Sequence, residues 1–478
     1  MKSSRVLIRA RKGVPAFGTP RQQACLFTQT TTSSSTRSSP SATTLSSRAS
    51  LRHHVLPSSR TTMPVRSYAS TKTPEALNKT PLFDLHVARG AKMVPFGGFH
   101  MPVQYADQSV SASHHFTRSH ASLFDVGHMV QHRFEGPGAG SFLQRITPAG
   151  IDALPINGST LSALLWPGTG GIVDDTIITK LGEDEFYVVT NAACRDKDLA
   201  YLEQQLAQWE KEGRGEVRHK VLDGWGLVAV QGPLAEEVLG LILEEPTEAD
   251  IRNLFFGQCC FVNVKVDGGR IVPDVLVSRG GYTGEDGFEI SIRPEDTVAV
   301  TETLLNTSGS EKLKLAGLGA RDSLRLEAGL CLYGHDLDDS TTPVEGALSW
   351  IIGKERRIET DIEKGAFYGA DIILKQLTPK SKGGAGVERR RIGLVVEGAP
   401  AREGADIVDA EGQKVGSITS GCPSPTLEKN IAMGYIKDGL HKAGTEVSVV
   451  VRGKTRKAVV TKMPFVPTKY WKGPSTKA

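Results

Sequence analysis

Four short segments place polar residues inside otherwise structural sequence. The first reads Gly170-Gly171-Ile172-Val173-Asp174-Asp175-Thr176-Ile177-Ile178. Asp is depleted in strands, so two adjacent carboxylates in a β-prone run are unusual. Side chains alternate across a strand, so at most one of the two points into a given pocket; the plainer alternative is a turn or bulge with one solvated Asp. The second runs from Gly280 through Tyr282 and Gly284 to Ile290. Its glycines make a tight loop, after which Phe288, Ile290 and Ile292 share one strand face and Glu289 points the other way. Glu289 is then either the polar side of a half-buried strand or a carboxylate that accepts two donors from a planar heterocycle. In the third, Gly319-Ala320-Arg321-Asp322-Ser323-Leu324-Arg325-Leu326-Glu327-Ala328-Gly329, helical spacing puts Arg321, Arg325 and Ala328 on one stripe. One Arg suits an anionic ligand and Asp322 can pair with Arg325 on the helix surface; two solvated arginines are the alternative. In the fourth, Thr419-Ser420-Gly421-Cys422-Pro423-Ser424-Pro425, two prolines flank Ser424 and stiffen a loop, shaped for a ligand or simply a rigid turn. No His lies near Cys422 in sequence, which argues against a nucleophilic role.

Generic cofactor motifs fail. Gly136-Pro137-Gly138-Ala139-Gly140 is interrupted by a proline, and no strand-to-helix turn is expected around it, so it is not a dinucleotide fingerprint. Gly453-Lys454-Thr455 lacks the earlier glycine of a phosphate loop and is expected to close a hairpin. His114, His115 and His120 have no carboxylate or cysteine in their segment to complete a metal set. The six cysteines (25, 194, 259, 260, 331 and 422) form no C-x-x-C pair, and they are too few in 478 residues for a disulfide scaffold.

The length suggests about three domains. Residues 73–366 read as α+β with antiparallel pairing. Strands are expected at 185–191, 227–231 and 288–292, with a hairpin of 259–266 and 270–278 around Asp267-Gly268-Gly269. Helices are expected at 195–212, after Gly232-Pro233, and from about Pro294. Residues 367–389 carry Lys, Gly and Arg with little periodicity and look like a linker. Residues 390–478 hold short β segments at 392–396, 406–409, 415–419, 431–436, 447–451 and 458–462, at the spacing of an all-β barrel or sandwich. No apolar run approaches the roughly 18 residues of a membrane-spanning helix, so membrane insertion is not expected.

The formal charge of +4 conceals an asymmetry. Residues 1–68 hold 11 Lys+Arg and 24 Ser+Thr with no Asp or Glu, which leaves 46 basic against 53 acidic residues in the remainder. An Arg-rich, Ser-rich, acid-free leader fits a mitochondrial transit peptide, and Arg66-Ser67-Tyr68-Ala69-Ser70 resembles a processing site cleaved after Tyr68. Without the leader the chain is acidic and offers nucleic acid no basic field. A chain beginning at Ala69 is therefore expected to melt at the temperature of the full chain by scanning calorimetry. A large drop would make the leader part of the fold.

Taken together, these segments resemble one family, the aminomethyltransferase or T-protein of the glycine cleavage system. The resemblance runs from Thr80-Pro81-Leu82 through Phe124-Asp125-Val126-Gly127-His128-Met129, the 320–330 helix and Thr341-Thr342-Pro343-Val344-Glu345-Gly346 to Met463-Pro464-Phe465-Val466-Pro467-Thr468. It implies an α+β fold of three domains in a cloverleaf around a central folate channel, the first two interleaved in sequence and the last a β-barrel. It also implies transfer of the one-carbon unit from the aminomethyl-dihydrolipoyl arm of a lipoylated H-protein to tetrahydrofolate, in the mitochondrial matrix. By motif position, Asp175 matches the catalytic carboxylate. Glu289, Arg321 and Tyr470 match residues that contact folate or substrate; Tyr282 and Met129 match pocket residues, as do Leu161 and Val189. Gly127 and Thr176 depart from the family pattern.

These groups suit that chemistry. A carboxylate can accept a proton from a folate nitrogen or stabilise developing positive charge. A pterin offers adjacent N–H donors to a glutamate, and the glutamyl tail of folate offers carboxylates to an arginine. No metal, flavin or nicotinamide is expected. The alternative is a non-catalytic folate-binding protein of the same fold, of the iron–sulfur assembly type; its Lys-Gly-Cys-Tyr-type motif is not found here. A demethylation module fused to a flavin dehydrogenase shares the fold, but no flavin domain is evident.

Overall fold

The computed structural model describes residues 77–244 and 251–473, which belong to one compact unit, Lys72–Ala478. The expected leader and its processing site lie outside the described residues. Besides a two-stranded ribbon of Ala91–Phe96 and Phe99–Tyr105, three larger sheets divide the core. An antiparallel sheet of five strands has the order Ser159–Leu165, Ile172–Gly182, Glu185–Thr190, Val130–Glu135, Arg218–Val221. A sheet of six has the order Gln258–Lys265, Ile271–Arg279, Gly287–Ile292, Gly226–Gln231, Ala121–Asp125, Leu313–Ala316, and its last pair alone is parallel. The third is a closed antiparallel barrel of six strands between Arg389–Val396 and Lys454–Thr461.

The α+β class follows from local pattern, and of the barrel or sandwich that the C-terminal spacing allows, the strands form the barrel. Each expected barrel segment is a short β-prone run bounded by Gly, Asp or Pro, and each is a strand: Arg389–Val396, Asp406–Val408, Lys414–Ser424, Lys429–Lys437, Glu446–Val451 and Lys454–Thr461. Gly453 does close a hairpin: Val451 pairs with Lys454, and Arg452 and Gly453 take φ of 51° and 72°, as a tight two-residue turn requires. The helix Arg195–Lys211 carries Asp196 in its first turn and Lys211 in its last, each complementing the helix dipole, and Gly213 at φ 64° follows it.

Each larger sheet has its own apolar cluster. That of the five-stranded sheet includes Phe134, Phe142 and Phe186 and draws on residues 134–209 and 331–387. That of the six-stranded sheet includes Val228, Phe288 and Ile290 and draws on residues 82–123 and 228–313. The chain thus crosses between the two cores and back. Leu394, Ile407, Ile436 and Val449 fill the barrel.

Three expectations are corrected. Residues 367–389, expected as a linker, contain the helix Ala370–Leu377; Phe367, Ala370 and Ile373 pack in the first core, with Leu374 against it. This helical period is two turns long and flanked by Lys and Gly, which hid it. Gly136–Gly140 does lie in a strand-to-helix turn, between Val130–Glu135 and Ala139–Ile146. Its glycines serve packing, since a Cβ at Gly136 or Gly138 would lie 2.7 or 2.8 Å from the carbonyl oxygens of Glu216 and Gly215. The expected stiff loop at Thr419–Pro425 is largely strand, within Lys414–Ser424.

Candidate active site between the two sheets

The five- and six-stranded sheets meet across a shared cluster that includes Phe124, Tyr187, Val189, Leu227 and Leu276. A narrow cavity at this contact is lined by Ile177, Tyr187 and Val189 from one sheet and by Leu227, Ser278 and Glu289 from the other. Strand register explains who faces it. Ile177 lies opposite Leu161 on one side and Val189 on the other, and Asp175 is two residues before Ile177, so these four share a face. On the facing sheet Glu289 pairs with Ser278 and Ala229, while Phe288 and Ile290 turn to the buried reverse side. The alternation expected for both segments is observed.

Asp174 and Asp175 part company as alternation requires. Asp174 is 0% exposed and its two oxygens accept from the backbone N–H (2.7 Å) and side-chain Nδ2 (2.9 Å) of Asn191. Asp175 is half-buried on the other face, and its Oδ1 accepts from the same Asn191 Nδ2 at 2.9 Å. Asn191 therefore bridges the two acids. Burial, reinforced by the charge of Asp174, pushes the Asp175 carboxyl up to about 7, against the lowering effect of the Asn191 hydrogen bond. A carboxyl titrating near neutrality is suited to proton transfer. Asn191 was missed in sequence; an Asn directly after the strand Glu185–Thr190 reads as a strand stop.

Arg321, on the helix Leu318–Glu327, lies over the ring of Tyr282, 4.7 Å from its centroid. The Tyr282 hydroxyl donates to the Cys331 carbonyl. Burial raises the Glu289 carboxyl and lowers the Arg321 guanidinium, and in each case the charge of the other opposes the shift. Arg321 Nη1 is buried without a hydrogen-bond partner. The structure thus gathers Asp175, Val189, Tyr282, Glu289 and Arg321. Leu161 shares the row of Ile177 but packs against the first core. Met129 joins the cluster of Val189 and also borders a second cavity of about 320 Å³, with Thr80, His128, Arg195 and Trp225. Tyr470 stacks on Phe256 at 4.2 Å, and the neighbouring Lys469 backbone N–H donates to Gly284 O in the loop that follows Tyr282.

The neighbouring stripe residue is not solvated. Arg325 is 3% exposed; it donates to Asp336 Oδ2 (2.7 Å), Ser420 Oγ (3.0 Å) and Asp322 Oδ1 (2.9 Å), which ties the helix to the barrel. The expected Asp322–Arg325 pair forms, but its arginine is interior and Asp336 is the buried partner. His114 is bound by Ser323, Thr426 and Glu327 in the same junction. Cys422 is buried, which pushes its thiol up to about 12, and no nucleophile is expected there. Among the described residues one group of three side chains has metal-ligand spacing: Asp174, Cys194 and Asp198, behind Asp175.

Comparison with known proteins identifies the family and the fold. Residues 82–356 match the GCVT N-terminal domain family and residues 389–467 the glycine cleavage T-protein C-terminal barrel domain. The chain is 48% identical over 408 residues to the probable mitochondrial aminomethyltransferase of Schizosaccharomyces pombe, covering 85% of this chain and 98% of that one. It is 47% identical over 400 residues to the mitochondrial aminomethyltransferase of Pisum sativum (84% and 92% covered) and 46% over 408 residues to that of Mus musculus (85% and 94%). The crystal structure of the glycine cleavage system aminomethyltransferase T from Bartonella henselae superposes with a TM-score of 0.72 at 37% identity, covering 83% of this chain and all of that one. The chain belongs to the mitochondrial aminomethyltransferases, the T-protein family of the glycine cleavage system.

Proposed function

We propose that the cavity between the two sheets takes tetrahydrofolate as co-substrate and that Asp175 carries the chemistry. The one-carbon unit comes from the aminomethylated dihydrolipoyl arm of H-protein, and the products are ammonia, 5,10-methylenetetrahydrofolate and the reduced arm. One observation carries this reading: a carboxyl lifted to about 7, fixed by Asn191, on the face of the strand that borders the cavity. Ionised Asp175 accepts the proton that a folate nitrogen loses on attacking the carbon from which ammonia departs, and its charge stabilises the electrophilic carbon. Glu289 accepts the adjacent N–H donors of the pterin. The unpartnered Nη1 of Arg321 suits an anionic acceptor on the ligand. Tyr282, Val189, Leu161, Met129 and Tyr470 complete the assignment as contact residues.

The test is tetrahydrofolate-dependent release of ammonia from aminomethylated H-protein. Release that needs tetrahydrofolate and yields methylenetetrahydrofolate is the expected result. Folate binding without turnover would favour the non-catalytic alternative.

A further inference from the structure

Behind Asp175 lies a second acid pair. Asp174 meets Asp198, from the first turn of the helix Arg195–Lys211, and both are 0% exposed. The ligand atoms of Asp174, Cys194 and Asp198 all lie within 4.8 Å of one another. Neither Asp198 oxygen has a hydrogen-bond partner at bonding distance; the Thr190 hydroxyl borders Asp198, where it opposes protonation less than burial and Asp174 favour it, and lies 3.1 Å from His132 Nε2. Two carboxylates buried this close do not both ionise, so the pair holds one proton. Both Asp174 oxygens already accept N–H groups of Asn191, which favours the ionised form there, so the proton belongs on Asp198.

We propose that Asp198 is a positioning residue: its protonated carboxyl donates to Asp174, and the pair locks the Asn191 side chain so that its Nδ2 points at Asp175. The other charged or titratable groups around the pair fit this assignment. Burial keeps the Cys194 thiol protonated. Lys197, the nearby cation, is held by Asp339 at 3.1 Å and the Tyr333 hydroxyl at 2.6 Å. Tyr333 and Tyr201 are both raised by burial and stay neutral. Burial, with the charge of Asp174, pushes Asp198 itself up to about 10. The amide orientation follows as well: the atom between the two acids must be Nδ2, because both partners are acceptors. The inference rests on the role given to Asp175 above.

The experiment compares Asp198→Ala and Asp198→Asn by turnover and by infrared spectroscopy. An Asn amide can donate to Asp174 as the protonated carboxyl does. Asp198→Ala is expected to lose about 10- to 100-fold in kcat, the scale of one lost charge-assisted hydrogen bond, with KM for tetrahydrofolate nearly unchanged. Asp198→Asn is expected to restore most of that loss and to leave the acid limb of the pH profile in place. Well above the pH at which Asp175 titrates, the native chain should retain a protonated-carboxyl band that Asp198→Asn lacks. This spectral arm needs no turnover, so it separates failure of the pair from failure of the Asp175 assignment. Absence of the band, equal losses in both variants, or full turnover in Asp198→Ala would each overturn the proposal. So would inactivation by a chelator that added zinc reverses, since the cluster would then be a metal site. If Asp198→Ala does not fold, the band in the native chain and in Asp198→Asn decides the matter.

Discussion

Asp175→Asn is expected to lower turnover by about 10²–10⁴-fold with tetrahydrofolate saturating, the usual scale for a lost general base or charge stabiliser. That corresponds to roughly 3–5 kcal/mol of barrier. The substitution keeps size and one acceptor oxygen but removes charge and basicity. Folate affinity should change far less, because Glu289 and Arg321 remain. In the native chain kcat should rise with pH through about 7, as Asp175 ionises, and this limb should vanish in the variant. Stability should move the opposite way. Folding raises the carboxyl above its ordinary range near 4, so Asp175 costs nothing at lower pH and its penalty grows as pH rises to about 7. Asp175→Asn should therefore melt at a higher temperature than the native chain above pH 7, and the difference should shrink below pH 4. Asp174→Asn, by contrast, weakens one of two buried hydrogen bonds to Asn191 and should cost stability together with a rate loss on the scale of Asp198→Ala, smaller than that of Asp175→Asn. Near-normal turnover in Asp175→Asn alongside collapse in Asp174→Asn would reverse the two roles.

Glu289→Ala and Arg321→Ala are each expected to weaken tetrahydrofolate binding by about 10- to 150-fold in calorimetric titration, the equivalent of one hydrogen bond to a charged group at roughly 1.5–3 kcal/mol. Glu289 faces the cavity from the six-stranded sheet and Arg321 carries a buried Nη1 with no partner, so each has bonding capacity that a ligand can fill. The two should differ in the free protein. Arg321→Ala leaves Glu289 without its opposing cation and should raise that carboxyl further, whereas Glu289→Ala leaves Arg321 stacked on Tyr282. Unchanged affinity in both variants would remove this pair from the pocket.

Local pattern carried much of this protein. Turn residues placed the six barrel strands and the hairpin around Asp267-Gly268-Gly269, and alternation gave the opposite facing of Asp174 and Asp175, because turn chemistry and a strand's period of two are properties of the local residues. Helical period likewise put Arg321 and Arg325 on one stripe. What alternation leaves open is what each face meets. That Asp175 looks toward the six-stranded sheet, while Asp174 is sealed against Asp198, depends on pairing between residues 17 to 24 positions apart. Asn191 and Asp198 had no signal of their own, one reading as a strand end and the other as an acid in a helix's first turn. Arg325 looked like half of a surface pair until the barrel brought Ser420 and its neighbours over it and Asp336 closed from the loop. Burial turns such groups from solvated charges into partners with shifted proton affinities, and burial is set by which sheets face each other across the chain's crossings between cores, a long-range arrangement no local period encodes.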